Sequence, residues 1–177
     1  LDFWAQALRG YPGVLELPDC GPRDAQRSLS TSTVAVPVPT STVDAVSRTA
    51  QRLGVSDFHV YHAALALTLS IACGTDDVAV GTPVSLRRHA ETTEMVGMFV
   101  STVALRTVLR PGLTTDDLIH LVRDTDLAAM DNALLPFDEV VAQQDPIREM
   151  GRHPVVQVTL SVNNEPGGHV ADELSPD

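Results

Sequence analysis

The sequence predicts an α/β fold, a mixed α+β sandwich in which helices flank one central sheet. Apolar residues alternate with period two in several short stretches, and they recur with helical spacing between those stretches. The two kinds of stretch follow one another in turn, the order that builds a sheet covered by helices. A chain of 177 residues suits one domain and can bury a sizeable core.

In chain order, residues 2–9 place Phe3, Trp4, Ala7 and Leu8 at helical spacing, and Gly10 stops the helix. Residues 11–24 read as an extended connector rich in proline and acids. Residues 29–38 alternate, with Val34, Val36 and Val38 on one face, and Pro37 and Pro39 put this strand at an edge. Ser41 and Asp44 form a capping-box pattern ahead of the stripe Val43, Val46, Ala50 and Leu53, with Gly54 as the stop. Ser56 caps a second helix to about Cys73. Its apolar residues surround most of the circumference, which predicts burial on several sides.

Gly74 to Asp77 make a turn into a strand at 78–84, followed by a polar loop at 87–94. A strand at 98–109 puts Phe99, Ser101, Val103 and Leu105 on one face and ends at Arg110, Pro111 and Gly112. Thr114 with Asp117 starts a helix striped by Leu118, Leu121, Val122, Ala128 and Ala129. Pro136 opens a short helix to about Gln143. In 155–162, Val156, Val158, Leu160 and Val162 face in, while Gln157, Thr159 and Ser161 face out. From Asn163 the tail is polar and rich in glycine and proline, so 163–177 reads as a loop or linker.

Composition narrows the function classes. The net charge of -11 argues against nucleic acid as a partner, because phosphate contacts need a basic face. No apolar run approaches the ~20 residues that span a bilayer, and no signal-peptide pattern is present. A cytoplasmic protein without a membrane partner is expected. The two cysteines, Cys20 and Cys73, imply neither a disulfide framework nor a zinc cluster, and Cys73 reads as an inert core residue. The chain opens on Leu1 with mid-helix character, as a piece of something longer would.

No catalytic set is complete. No G-x-S-x-G occurs, and Ser101 stands in mid-strand rather than on a sharp turn. His59 and His62 sit three apart on a helix without a third ligand at a recognised distance, so packing is the expected role and no metal is implied. The glycines are scattered, and Gly81-Thr82-Pro83 cannot open a phosphate-binding helix. Asp76-Asp77 and Asp116-Asp117 stand where capping and dipole complementarity explain them.

Taken in order, the motifs resemble one family. LDFWAQALRGYPGVLELP is similar to a W-x-x-x-L segment followed by L-x-L-P. The helix pair ending in DDVAVGTPVSLR is similar to the block that leads to an arginine, here Arg87. GMFVSTVALR, from Gly97 to Arg106, resembles G-x-F-V-N-T-x-x-x-R. LLPFDEVV and RHPVVQV resemble the P-F-E and R-x-P-L-F-Q-V blocks. These are motifs of the condensation domain of nonribosomal peptide synthetases. Two departures stand out: Ser101 replaces the usual asparagine, and Asn132, Ala133, Leu134 and Leu135 precede Pro136.

The resemblance implies a chloramphenicol-acetyltransferase-like half-domain over 1–162, the C-terminal subdomain, incomplete at its C-terminal end. The family's two halves form a V with the active site in the tunnel between them. The N-terminal half carries H-H-x-x-x-D-G, and this sequence has no adjacent histidines. Hence no catalytic residue is expected here. Arg87, Gly97, Phe99, Ser101, Thr102 and Arg106 are the candidates for the tunnel wall. Pro136, Phe137, Arg152, His153 and Pro154 are motif residues with structural roles. No cofactor is expected to bind directly, since the substrates ride on the phosphopantetheine of carrier proteins. Expected partners are the N-terminal half, carrier protein domains and a neighbouring adenylation domain. A non-catalytic module recruiting carrier proteins or tailoring enzymes, or a variant for epimerisation, cyclisation or ester formation, are the alternatives.

Overall fold

A computed structural model describes residues 2–18, 31–87, 89–144 and 153–163. The elements are α1 (Asp2–Ala7), α2 (Thr40–Leu53), α3 (Asp57–Cys73), β1 (Asp77–Ser85), a 3-10 turn (Ala90–Thr92), β2 (Val100–Val108), α4 (Thr115–Asp131) and α5 (Phe137–Gln144). β1 and β2 pair antiparallel from Asp77 opposite Val108 to Ser85 opposite Val100. The ladder extends by one bond at each end, Leu109 N–H to Asp76 C=O (2.7 Å) and Leu86 N–H to Phe99 C=O (2.8 Å).

The other edge of β1 takes a parallel partner at one point, Gly81 opposite Thr159, so the pairing is mixed as expected. Gly81 N–H donates to Val158 C=O and Leu160 N–H to Gly81 C=O, both at 2.8 Å. The Thr82 hydroxyl adds a bond to Leu160 C=O (2.9 Å). Space selects glycine at this crossing. A Cβ on Gly81 would stand 3.1 Å from Thr159 Cγ2 and 3.2 Å from Val156 Cγ2.

The expected strand at 155–162 is therefore reduced to a bridge. Its inward set holds, since Val156 is buried and Val158, Leu160 and Val162 are half-buried, while Thr159 and Ser161 are exposed. Its entry differs for a local reason. Val155 has φ 68 and Val156 N–H bonds Pro154 C=O at 2.8 Å, a γ-turn of the strained hand on a β-branched residue.

Residues 31–38 form no strand, which corrects the expectation there; Leu29 and Ser30 lie outside the described residues. Val34, Val36 and Val38 are all exposed, because no described segment pairs with them and Pro37 and Pro39 supply no N–H. The Ser41–Asp44 capping box is also absent. α2 starts two residues earlier, at Thr40, and Pro39 stands at the cap position with its carbonyl accepting from Thr42 and Val43 N–H. Ser41 thereby falls inside the first turn.

The other caps follow the sequence. Gly54 and Gly74 close α2 and α3 in the left-handed conformation. Ser56 N–H donates to His59 Nδ1 (3.2 Å) at the start of α3. At α4, Thr114 N–H donates to Asp117 Oδ2 (3.1 Å) and Asp117 N–H to Thr114 Oγ1 (3.2 Å). α3 is not enclosed, however. His59, His62, Ala63, Ala66, Leu69 and Ser70 are buried against α2, α4 and β1, while Leu67 and Ile71, the latter 75% exposed, face away. Cys73 is half-buried at the end of the helix.

Three apolar clusters join these elements. Trp4 and Leu8 pack with Ala79, Ala104, Ala129, Val140 and Val156. Leu15 joins Leu69, Val78 and Val80, and Ala63 joins Leu118, Ile119 and Val122. Among the described residues no helix is long and apolar enough to cross a membrane.

Candidate functional site

The turn from β1 into β2 is held from within. Arg87 bends back over the loop and donates to the carbonyls of Thr92, Thr93 and Met95, the last at 2.9 Å. Its guanidinium lies 4.3 Å from the centroid of the Phe99 ring, a cation–π distance. Gly97 is the residue that lets the ring lie there, since a Cβ at Gly97 would meet Phe99 Cε2 at 3.2 Å. Arg87, Gly97 and Phe99 thus form one unit. Around it the loop shows apolar residues to solvent: Val96 is 103% and Met98 91% exposed.

Ser101 and Thr102 open β2, opposite Val84 and Pro83, and both are half-buried. Directly opposed residues share a face, so Thr102 lies on the side of Pro83 and Ser101 on that of Val84. A cavity of about 300 Å3 adjoins this end of the sheet, lined in part by Phe58, Thr82, Val84, Ser85, Val100 and Asn163. Its hydroxyls are partly committed: Thr82 bonds Leu160, and Ser85 Oγ accepts from Arg87 N–H (3.3 Å).

Arg106 stands apart. Four residues of extended strand put it about 14 Å beyond Thr102. It makes two bonds to Asp77, 2.8 and 2.7 Å, and two to the carbonyls of Ala7 and Arg9, both 2.9 Å. The Asp77 hydrogen bonds hold its pKa above the ordinary arginine value. Tyr11 lies beside it, ring centroid 5.6 Å from the guanidinium, and burial followed by the Asp77 charge pushes the phenol up to about 12. Arg106 therefore ties the end of α1 to the sheet.

The two later motifs meet in space. The Phe137 ring stacks on His153 at 5.5 Å and 25°. His153 C=O accepts from Gln157 Nε2 (2.8 Å), which also bonds Gly13 C=O (3.0 Å), and Leu15 N–H donates to Gln157 Oε1 (2.7 Å). Pro136 C=O accepts from Glu139 and Val140 N–H at the start of α5, and Pro154 leads the γ-turn. Arg152 lies outside the described residues.

One polar pair escaped the sequence reading. His62 Nδ1 and Asp126 Oδ2 lie 2.9 Å apart with both side chains 0% exposed. The signal was present: Asp126 occupies an apolar position, four residues after Val122 and three before Ala129, and an acid there needs a buried partner. Burial raises the Asp126 carboxyl above its ordinary range, opposed by the His62 hydrogen bond, and burial lowers His59.

Among the described residues no group of acids, histidines and cysteines could hold a metal ion. Thr82, Arg87 and Arg106 around β1 and β2 spend their polar groups on backbone and on Asp77, while the buried Thr107 hydroxyl finds no hydrogen-bond partner among the described residues. Such an arrangement shapes a surface and fixes its rings.

Comparison with known proteins places this architecture. The condensation domain family matches residues 1–175. Malpinin synthetase of Mortierella alpina is 37% identical over 163 residues, 92% of this chain and 2% of that protein. The holo-AB3403 four-domain nonribosomal peptide synthetase bound to AMP and glycine aligns over 89% of this chain and 12% of its own, at TM-score 0.86 and 22% identity. The X-domain in complex with OxyB from teicoplanin biosynthesis aligns over 89% of this chain and 35% of its own, at TM-score 0.84 and 24% identity. The chain thus spans a small share of the synthetases that it matches, and its fold is the chloramphenicol-acetyltransferase-like one of its structural neighbours. With a match from the first residue to the 175th, the chain belongs to the condensation domain family of nonribosomal peptide synthetases.

Proposed function

We propose that this chain works as the C-terminal half of a condensation domain, walling the tunnel in which an amide bond forms. The substrates are a donor acyl or peptidyl thioester and an acceptor aminoacyl thioester, each on the phosphopantetheine arm of a carrier protein. The acceptor amine attacks the donor thioester carbonyl, the new C–N bond forms as the C–S bond breaks, and the donor arm leaves as a thiol. The histidine that assists this attack belongs to the N-terminal half, and this sequence contains no adjacent histidines.

The observation that carries the reading is the cavity of about 300 Å3 at the start of β2, lined by Val100, the residue that follows the Phe99 covered by Arg87. Rigid walls with committed polar groups hold two thioesters in register and exclude water, which is how positioning accelerates a bimolecular step. Ser101 does not itself line the cavity; it stands opposite Val84, which does, at the position of the family's asparagine, and offers a shorter side chain.

The test supplies a separately produced N-terminal half together with two loaded carrier proteins and detects the dipeptidyl thioester by mass spectrometry. Product that needs both halves is expected. Product from this chain alone, or none when the halves form a stable complex, would sink the reading. The neighbouring X-domain, bound to OxyB, favours one second reading, a recruitment module for a tailoring enzyme. Calorimetric titration with such an enzyme, giving affinity without any condensation in the first assay, would select it.

A further inference from the structure

A groove of about 300 Å3 lies between α1, the second half of β2 and α4. Trp4, Leu8, Ala104, Val108, Leu121 and Ala128 give it apolar walls. The polar atoms that reach it are already engaged. Trp4 Nε1 donates to Asn132 C=O (3.1 Å), and the Thr125 hydroxyl bonds the carbonyls of Leu121 (3.1 Å) and Val122 (3.0 Å). Arg106 is committed to Asp77 and to the carbonyls of Ala7 and Arg9. Only the lip differs: Arg110 is exposed there and, among the described residues, forms no ion pair.

We propose that this groove binds a small amphiphilic carboxylate, with an aliphatic tail against Trp4 and its carboxylate on Arg110. The volume stands at the lower end of small-molecule sites. Apolar walls without free donors or acceptors favour a tail and give no purchase to a polar ligand. A guanidinium at the mouth matches a carboxylate in charge and in fork geometry. The site is separate from the cavity at the start of β2, because Val100 and Val108 stand about 27 Å apart along the strand. It does not depend on the condensation reading.

Trp4 is the only tryptophan of the chain, so its fluorescence reports the groove directly. Titration with octanoate is expected to give a saturable change, about fifteenfold tighter than hexanoate, since each of the two added methylenes contributes about fourfold when buried. Octanol should bind several-fold more weakly than octanoate. Arg110→Gln should remove that difference while leaving octanol unchanged, and Ala128→Phe should abolish both by filling the groove. Arg110 is exposed, so the glutamine variant together with the chain-length series decides even if the phenylalanine variant fails to fold. No saturable change with octanoate, or equal binding of octanoate and octanol to the unaltered chain, would overturn the proposal.

Discussion

Replacing Asp126 with leucine removes a polar contact between α3 and α4 that is sealed from water. His62 Nδ1 and Asp126 Oδ2 lie 2.9 Å apart, and both side chains are 0% exposed. His62 Nε2 and Asp126 Oδ1 have no hydrogen-bond partner among the described residues, so this bond carries most of the pair's satisfaction. Leucine fills much of the vacated volume, which keeps any cavity cost small. What remains is an orphaned imidazole: about 1–3 kcal/mol for an unsatisfied buried polar group, about 3–5 kcal/mol for a broken buried ion pair. We expect about 3 kcal/mol for Asp126→Leu and a similar loss for His62→Leu. In a chain of this size that is a drop in Tm of about 6–12 °C.

The double variant should return to within about 1 kcal/mol of the parent, because replacing both partners removes the desolvation penalty with the bond. A double-mutant cycle in urea measures all of these. Single losses under about 1 kcal/mol, or a double variant equal to the sum of the singles, would refute the reasoning. A pH series adds a signed check. Burial raises the Asp126 carboxyl above its ordinary 3.8, so near and above that pH the folded state binds more protons than the unfolded. This group's contribution to stability is therefore full below about pH 3.8 and falls as pH rises through the raised folded value. Asp126→Leu should flatten that part of the profile.

Arg106→Ala should cost about 2 kcal/mol by thermal or urea unfolding, since the Asp77 carboxylate and the carbonyls of Ala7 and Arg9 lose their donors. Arg106→Lys should recover little, having no fork to span them. Gly81→Ala should cost about 1–2 kcal/mol by overpacking and raise hydrogen exchange at the Leu160 amide, because the added methyl meets Thr159 and Val156 at 3.1 and 3.2 Å. Arg87→Ala should change global stability by under about 1 kcal/mol, as its contacts are exposed. The same change should speed protease cleavage between Thr92 and Phe99, and an unchanged cleavage rate would remove Arg87 from its role in ordering the loop.

What was legible in the sequence was local. The Thr114–Asp117 box, the stops at Gly54 and Gly74 and the two strands expected at 78–84 and 98–109 are set by residues near one another in the chain, so pattern and position reveal them; their antiparallel pairing came from the structure. The failures share a cause: each depended on what lies across space. Period-two valines at 34, 36 and 38 say that a strand is possible, yet a strand exists only where another backbone takes its hydrogen bonds. The apolar girdle of α3 promised enclosure, but only α2, α4 and β1 arrive to cover it, and Leu67 and Ile71 stay outside. The positive φ of Val155 contradicts its residue type. It is imposed by the tight reversal between the His153 stack and the bridge at Thr159.

The same division between local and spatial information explains why the candidate site looked richer in the sequence than its chemistry proves to be. Arg87 and Arg106 bracket the β1–β2 unit and read alike as charged residues beside a tunnel. In space they do different work. Arg87 holds a loop against Phe99, and Arg106 fastens α1 to the start of β1. Both have most of their hydrogen-bonding capacity committed, so neither is poised to hold a substrate anion without giving up contacts that order the backbone. A cation that has spent its donors contributes rigidity, and rigidity is what a wall between two carrier-borne thioesters requires. Among the described residues, Arg110 forms no ion pair; it stands two residues past the end of β2 and at the lip of a different groove. If the wall reading is right, neutralising Arg87 should change how well substrates are aligned. Neutralising Arg110 should leave condensation with the N-terminal half untouched. That asymmetry between two arginines on one hairpin separates a positioning surface from a binding site.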